Sequence, residues 1–202
     1  MPLNKVKLQN DLFNVFDTMN SIYRNGDEYM ATECSRVIHE YILGGDVSTI
    51  DAGTGTPTSS VYSGKGDGTM NINSANLKNL LYNTFIAQYD ITALAKGIAD
   101  DINSVCSESN IIQTTTKGTS TFSYPPYSSV DGGVGKGSFT SQKSIIQLKL
   151  QSCFATMNHM TKNGNMYLAQ EIASAIDNYL KSGRVSVTLQ TPLNGKGEGT
   201  IS

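Results

Sequence analysis

The chain has 202 residues, of which 38% are hydrophobic and only 16% are charged, a balance typical of a folded globular protein and not of a disordered one. This length allows one sizeable domain or a small array of subdomains. Fifteen basic against 17 acidic residues give a net charge of −2 without clusters of either sign, so we expect no binding to nucleic acid or to anionic lipid.

The first elements along the chain are a helical hairpin and a strand. Asn25-Gly26 is a turn signal between two helical patterns, and so short a connection makes the helices antiparallel neighbours. Gly45 follows the second helix, where we expect a left-handed cap, and the β-branched run Val47 to Ile50 predicts a strand. The apolar stripe of the second helix is Met30, Cys34, Val37, Ile38, Tyr41 and Ile42.

Two further units follow with the same order of elements. Their strands are predicted at Ile111 to Thr116 and at Val185 to Leu189, and in the last unit Gly183 takes the place of Gly45. The stripe of the middle unit is Leu94, Ile98, Asp101, Ile102, Val105 and Cys106. The stripe of the last unit is Leu168, Ile172, Ala175, Ile176, Tyr179 and Leu180.

An internal repeat relates the three units. A shift of 138 residues pairs Asn25-Gly26 with Asn163-Gly164, and a shift of 74 relates the last unit to a weaker middle copy without the Asn-Gly turn. We therefore predict three tandem repeats, at 1–74, 75–142 and 143–202. The predicted fold class is α+β, each repeat being a helical hairpin followed by two short β-segments around a Gly-rich stretch.

Each repeat ends on a Gly-x-Gly-x-Gly pattern, at Gly64 to Met70, Gly133 to Phe139 and Gly195 to Ile201. A phosphate-binding loop would need Gly-Lys-Ser/Thr, whereas Lys65 and Lys136 are each followed by Gly, so we expect no nucleotide or other cofactor. Gly at every second residue instead strips one face of a strand and permits close backbone approach. We expect these strand edges to be covered by a neighbouring repeat or subunit.

The three cysteines have no Cys-x-x-Cys spacing, which argues against a zinc site and a disulfide framework. Cys34 and Cys106 fall on the apolar stripes of the second helices. Cys153 lies in the first helix of the last unit, where the repeat aligns it with Val15 of the first unit. We therefore predict three small, unpaired core residues.

No set of residues predicts catalysis or a metal site. His39 and His159 lie in different helices of different repeats, without a nucleophile set nearby. The adjacent pair Asp100-Asp101 cannot face one ligand from a helix. The chain has no signal-peptide stretch at its start and no run of about 18 apolar residues. We expect a non-enzymatic protein that is neither exported nor inserted in a membrane.

A polar loop of variable length separates the strand from the Gly pattern in each repeat, at 51–63, 117–132 and 190–194. The middle loop holds Tyr124, Pro125, Pro126 and Tyr127, which are candidate partner-contact residues because rigid aromatics beside proline lose little entropy on docking. The alternative is a loop that folds onto its own hairpin. The same aromatics leave open a small-ligand or glycan binding module that uses the variable loops.

Two amphipathic helices, a β-branched strand and a Gly-alternating last strand, GEGTIS at Gly197 to Ser202, resemble the small virion structural proteins of tailed bacteriophages. The resemblance implies a structural, assembly-type component of the head, neck or tail, made in the cytoplasm of a host bacterium and ending in the virion. Its partners would be other copies of itself and other virion proteins, with no nucleic acid, membrane or small-molecule substrate.

Overall fold

The computed structural model describes residues 2–55, 60–87, 90–120, 129–190 and 193–202. Within these ranges the helices are α1 (Lys5–Met19), α2 (Gly26–Leu43), α3 (Ser74–Ala87), α4 (Ile91–Cys106), α5 (Ser144–Met157) and α6 (Gly164–Ser182). The strands are β1 (Val47–Gly55), β2 (Ser60–Met70), β3 (Ile112–Ser120), β4 (Ser129–Thr140), β5 (Arg184–Leu189) and β6 (Leu193–Ile201).

The six strands form one closed antiparallel barrel. Each strand pairs with its neighbours in chain order, and β6 pairs with β1, so that Val47 lies opposite both Gly68 and Ile201. The order helix, helix, strand, strand occurs three times, but the strands of different units pair with one another, β2 with β3 and β4 with β5.

The predicted fold class is therefore wrong. The β-segments are not short elements that belong to separate repeats, because strands of up to 12 residues join all three units in one barrel. A lone hairpin would leave two edges with unpaired backbone groups, and closure of the barrel removes every edge.

The predicted polar loops are also too long. Asp51–Gly55 belongs to β1, residues 117–120 belong to β3 and residues 129–132 belong to β4. The polar and small residues of these stretches predict a loop, but pairing with the neighbouring strands places them in the barrel. The predicted contact residues Tyr124, Pro125, Pro126 and Tyr127 lie outside the described residues.

The Gly patterns line the inside of the barrel on β2, β4 and β6, while β1, β3 and β5 supply the side chains that fill it. Along β1, Val47, Thr49 and Asp51 are buried and the residues between them are exposed, as alternation requires. A Cβ at the third Gly of each pattern would overlap a backbone carbonyl across the sheet. These pairs are Gly68 with Gln113, Gly137 with Ser186, and Gly199 with Ser48.

The six helices form a ring at one end of the barrel, since each packs against the helix before and after it and α1 also packs against α6. The second helix of each hairpin contacts the barrel through β2, β4 or β6. Between the two layers the Phe139 and Tyr179 rings meet edge to face, with centroids 5.6 Å apart. Ile38, Ile102 and Ile176, aligned by the repeat, are all buried in this core.

The helix ends differ in part from the prediction. Asn25 and Asn163 adopt left-handed conformations, with φ of 57° and 60°, directly before α2 and α6. Gly183 has a φ of −80°, so the predicted left-handed cap is wrong there. Glycine is required at Gly183 for space, because a Cβ would overlap the Phe139 ring. Gly45 likewise has no left-handed φ, and its Cβ would lie 2.7 Å from Leu3 Cδ2.

Candidate functional site

An apolar pocket of about 320 Å³ lies on the axis of the helix ring. All six helices contribute to its wall. The lining residues are Leu12, Phe16, Met19, Asp27, Met30, Cys34, Ile38, Leu81, Phe85, Leu94, Ile98, Ile102, Phe154, Leu168 and Ile172. This volume falls within the range of about 300–1,000 Å³ that is usual for small-molecule sites. We call this site the axial pocket.

The wall of the axial pocket follows the repeat. Successive helical turns carry one ring formed by Met30, Leu94 and Leu168 and a second ring formed by Cys34, Ile98 and Ile172. The same sequence shifts place these residues in register. The first helices of the three units each add a phenylalanine from the last turn, namely Phe16, Phe85 and Phe154. In the second ring the first unit contributes the small Cys34, where the other two units contribute the larger Ile98 and Ile172.

The mouth of the axial pocket faces away from the barrel, because α2 runs from the mouth residues Asp27 and Met30 toward β1. Two large hydrophobic side chains are exposed in the segments that border it. Tyr23, in the loop between α1 and α2, is 98% exposed, and Ile86 is exposed in the last turn of α3. We call this surface the apolar end face.

The charge of the axial pocket is concentrated at its mouth. Asp27, in the first turn of α2, is the one charged residue in the lining, and it makes no ion pair or hydrogen bond within the described residues. Its neighbour Glu28 pairs with Lys78 at 3.6 Å. Burial raises the pKa of Cys34 to about 12, so this thiol is neutral at physiological pH. The pocket therefore presents one unpaired carboxylate above an uncharged interior.

Comparison with protein-family models, with curated proteins and with solved structures gave no match.

The barrel interior holds a polar cluster, centred on the fully buried Asp51. Thr49 Oγ1 donates a hydrogen bond of 2.7 Å to Asp51 Oδ1, and Thr116 Oγ1 donates one of 2.6 Å to Asp51 Oδ2. Thr114 Oγ1 is buried without a partner. A Cβ on Gly66 or Gly197 would overlap the Asp51 carboxylate, so no space for a ligand adjoins it. We interpret this cluster as part of the barrel core.

Sequence reasoning missed both sites. Asp51 was assigned to a loop, although its spacing from Val47 and Thr49 matches that of Leu189 from Val185 and Val187 in the third repeat. The helical stripes were predicted, but a periodic stripe cannot show whether its apolar residues meet a neighbour or surround a cavity.

The residues that the sequence excluded from catalysis are dispersed. His39 Nε2 lies 2.9 Å from Asn71 Oδ1, and His159 is exposed in another helical hairpin. Asp100 pairs with Lys96 and Lys143, while Asp101 accepts a hydrogen bond from Thr84. The described residues contain no group of three or more side chains suited to a metal ion. None of the helices in these ranges is long and apolar enough to cross a membrane.

The predicted role of the cysteines is confirmed. Cys34, Cys106 and Cys153 are all buried and free. Burial also raises the pKa of Cys153, to about 11, which keeps its thiol protonated and unreactive.

Proposed function

We propose that the protein is a non-enzymatic structural component of a tailed-phage particle, in the head, neck or tail, and that it assembles with other virion proteins and with copies of itself. The observation that carries this proposal is the apolar end face. Tyr23 is almost completely exposed there, beside a pocket mouth lined with Met, Leu and Phe. Exposed apolar surface of this kind marks contact sites, and aromatic residues and Met are enriched in them.

The closed barrel limits the ways in which such a protein can associate. Both edges of every strand are already paired, so addition of a partner strand is not available to the barrel described here. Contacts have to use side chains, and the outward face of the barrel is mostly polar, with alternating Ser, Thr, Lys and Asp. Compared with the outside of the barrel, the apolar end face is better suited to burial against another protein.

The test combines light scattering of the purified full chain with immunogold electron microscopy of phage particles from the source material. We expect concentration-dependent oligomers and labelled particles. The double substitution Tyr23→Ser and Ile86→Ser should reduce association. Ile50→Ser is the matched control, because Ile50 is 75% exposed but lies on the outside of β1.

Two results would contradict the proposal. One is a chain that stays monomeric at all concentrations and is absent from the particles. The other is equal association of the end-face variant and the Ile50→Ser control, which would remove the apolar end face from the explanation.

A second candidate function is the binding of a small ligand, and the volume of the axial pocket favours it. The route predicted from the sequence, through the variable loops and Tyr124 and Tyr127, concerns residues outside the described ranges. The axial pocket is instead built by the helices.

A further inference from the structure

We propose that the axial pocket binds an amphiphile that has an apolar chain and one positively charged head group. The chain lies along the axis of the helix ring and the head group lies beside Asp27. This inference rests on the second candidate function, ligand binding, and is independent of assembly into a particle.

The shape of the site favours a short chain. The ring that contains Met30 lies at the mouth, and the ring that contains Cys34 follows it along the axis. Beyond the second ring lie the buried Ile38 and Ile102. A volume of about 320 Å³ lies at the lower end of the range of about 300–1,000 Å³ for small-molecule sites, which favours a short chain such as a decyl group.

The charge of the head group follows from the mouth. Asp27 has no counter-ion within the described residues, whereas the adjacent Glu28 is paired with Lys78. An anionic head group would be repelled by the Asp27 carboxylate, and a cationic one would supply the missing partner.

The aromatic residues support the same charge. Phe16, Phe85 and Phe154 lie in the last turns of α1, α3 and α5, which is the end of the ring that holds Asp27. Phenyl rings attract cations, so this lining is compatible with the cationic head group that Asp27 favours.

The probes are decyltrimethylammonium, decyl sulfate and decyl maltoside, each used below its micelle concentration. Isothermal titration calorimetry on the full chain gives the three affinities. We expect the cationic probe to bind at least about tenfold more tightly than the anionic one, and the difference to shrink as salt is added.

Two variants locate the head group. Asp27→Asn should remove most of the preference for the cationic probe, while the affinity for decyl maltoside stays within about twofold. Glu28→Gln is the matched control, since it removes the neighbouring carboxylate without altering the lining, and it should retain the preference. Equal binding of cationic and anionic probes, or a preference that survives Asp27→Asn, would overturn the head-group assignment while leaving ligand binding intact.

A third variant locates the chain. Cys34→Ile places in the first repeat the residue that the other two have at Ile98 and Ile172, and it should fill the pocket and weaken all three probes at least about tenfold. If circular dichroism shows that Cys34→Ile is unfolded, Met30→Phe at the mouth provides the same test. Unchanged binding in the folded variant would place the site elsewhere and overturn the proposal. Failure of every probe to bind wild-type protein would overturn both this inference and the ligand-binding function, without bearing on assembly.

Discussion

The barrel and the helix ring are both built from three units, but side chains and glycine backbone fill the described barrel interior, whereas the helix ring encloses a pocket. Paired strands lie about 5 Å apart, so six of them enclose a narrow space, whereas packed helices lie about 8–10 Å apart and six of them enclose a wide one. The barrel closes only because three strands contribute glycine to its interior. The helix ring cannot be filled by Leu, Ile and Met side chains, and it retains the axial pocket.

This difference predicts where the chain tolerates change. At Gly68, Gly137 and Gly199 in the barrel an added carbon meets backbone, which cannot move without breaking hydrogen bonds between the strands. Around the axial pocket an added carbon enters free space. Two matched pairs of substitutions in the barrel, and one pair of adjacent residues on α4 in the helix ring, probe the two regions.

The largest effect is expected for Gly68→Val. The new Cβ would overlap the carbonyl oxygen of Gln113 on β3, and relief requires β2 and β3 to separate. Overpacking against backbone should reduce the free energy of unfolding by about 3 kcal/mol or more. Urea denaturation, monitored by circular dichroism, measures this free energy for the variant and the wild type.

The control for this substitution is Ala52→Val, on the exposed side of β1. It makes a similar change of volume on a neighbouring strand and should alter stability by no more than about 0.5 kcal/mol. Equal effects of the two substitutions would show that the barrel is not closed as tightly as Gly68 implies.

A smaller effect is expected within the Asp51 cluster, where β3 offers a matched pair. Thr116→Val removes the donor to Asp51 Oδ2 and leaves a buried carboxylate oxygen unsatisfied, at a cost of about 2 kcal/mol. Thr114→Val makes the same chemical change two residues away, where the hydroxyl has no partner, and should be neutral or stabilising by up to about 1 kcal/mol.

Urea denaturation of both variants decides the role of the cluster. If Thr114→Val destabilised the barrel as much as Thr116→Val, the Thr114 hydroxyl would have a partner such as a buried water. If neither variant lost stability, Asp51 would not depend on its threonine donors.

Local features of the fold were predictable from the sequence. The helical stripes and the buried cysteines depend on short-range spacing, and Asn25-Gly26 and Asn163-Gly164 were correctly placed between helices. The pairing of strands from different repeats was not predictable, because it joins residues that are far apart in the sequence, such as Met70 with Ile112 and Val47 with Ile201. The Gly patterns indicated close approach of backbones, but not that the approach closes a barrel.

The candidate site was less predictable than the fold. The sequence predicts buried helical stripes that include Met30, Leu94 and Leu168. These residues line a cavity because opposite helices of the ring are too far apart for their side chains to meet, and spacing along one helix does not reveal that distance. The phage-particle function and the role of Tyr124 to Tyr127 stay predictions.

The smallest effect is expected at the adjacent residues Asp100 and Asp101 on α4, which should respond to pH in opposite directions. Burial raises the pKa of Asp101, although the Thr84 hydroxyl donates to it at 2.7 Å, so the native state binds a proton more readily than the unfolded chain. Its contribution to stability is present at low pH and is lost as the pH rises through the native pKa. The hydrogen bond from Lys143 lowers the pKa of the partly exposed Asp100, so its contribution to stability is present at neutral pH and is lost as the pH falls.

Asp101→Asn should therefore be slightly more stable than wild type at pH 7, whereas Asp100→Asn should be slightly less stable. Each difference should be less than about 1 kcal/mol, and both should disappear in acid. Melting temperatures of the three proteins from pH 7 to pH 3 check the two signs, and a shift in the same direction for both variants at pH 7 would show that burial does not distinguish these neighbours.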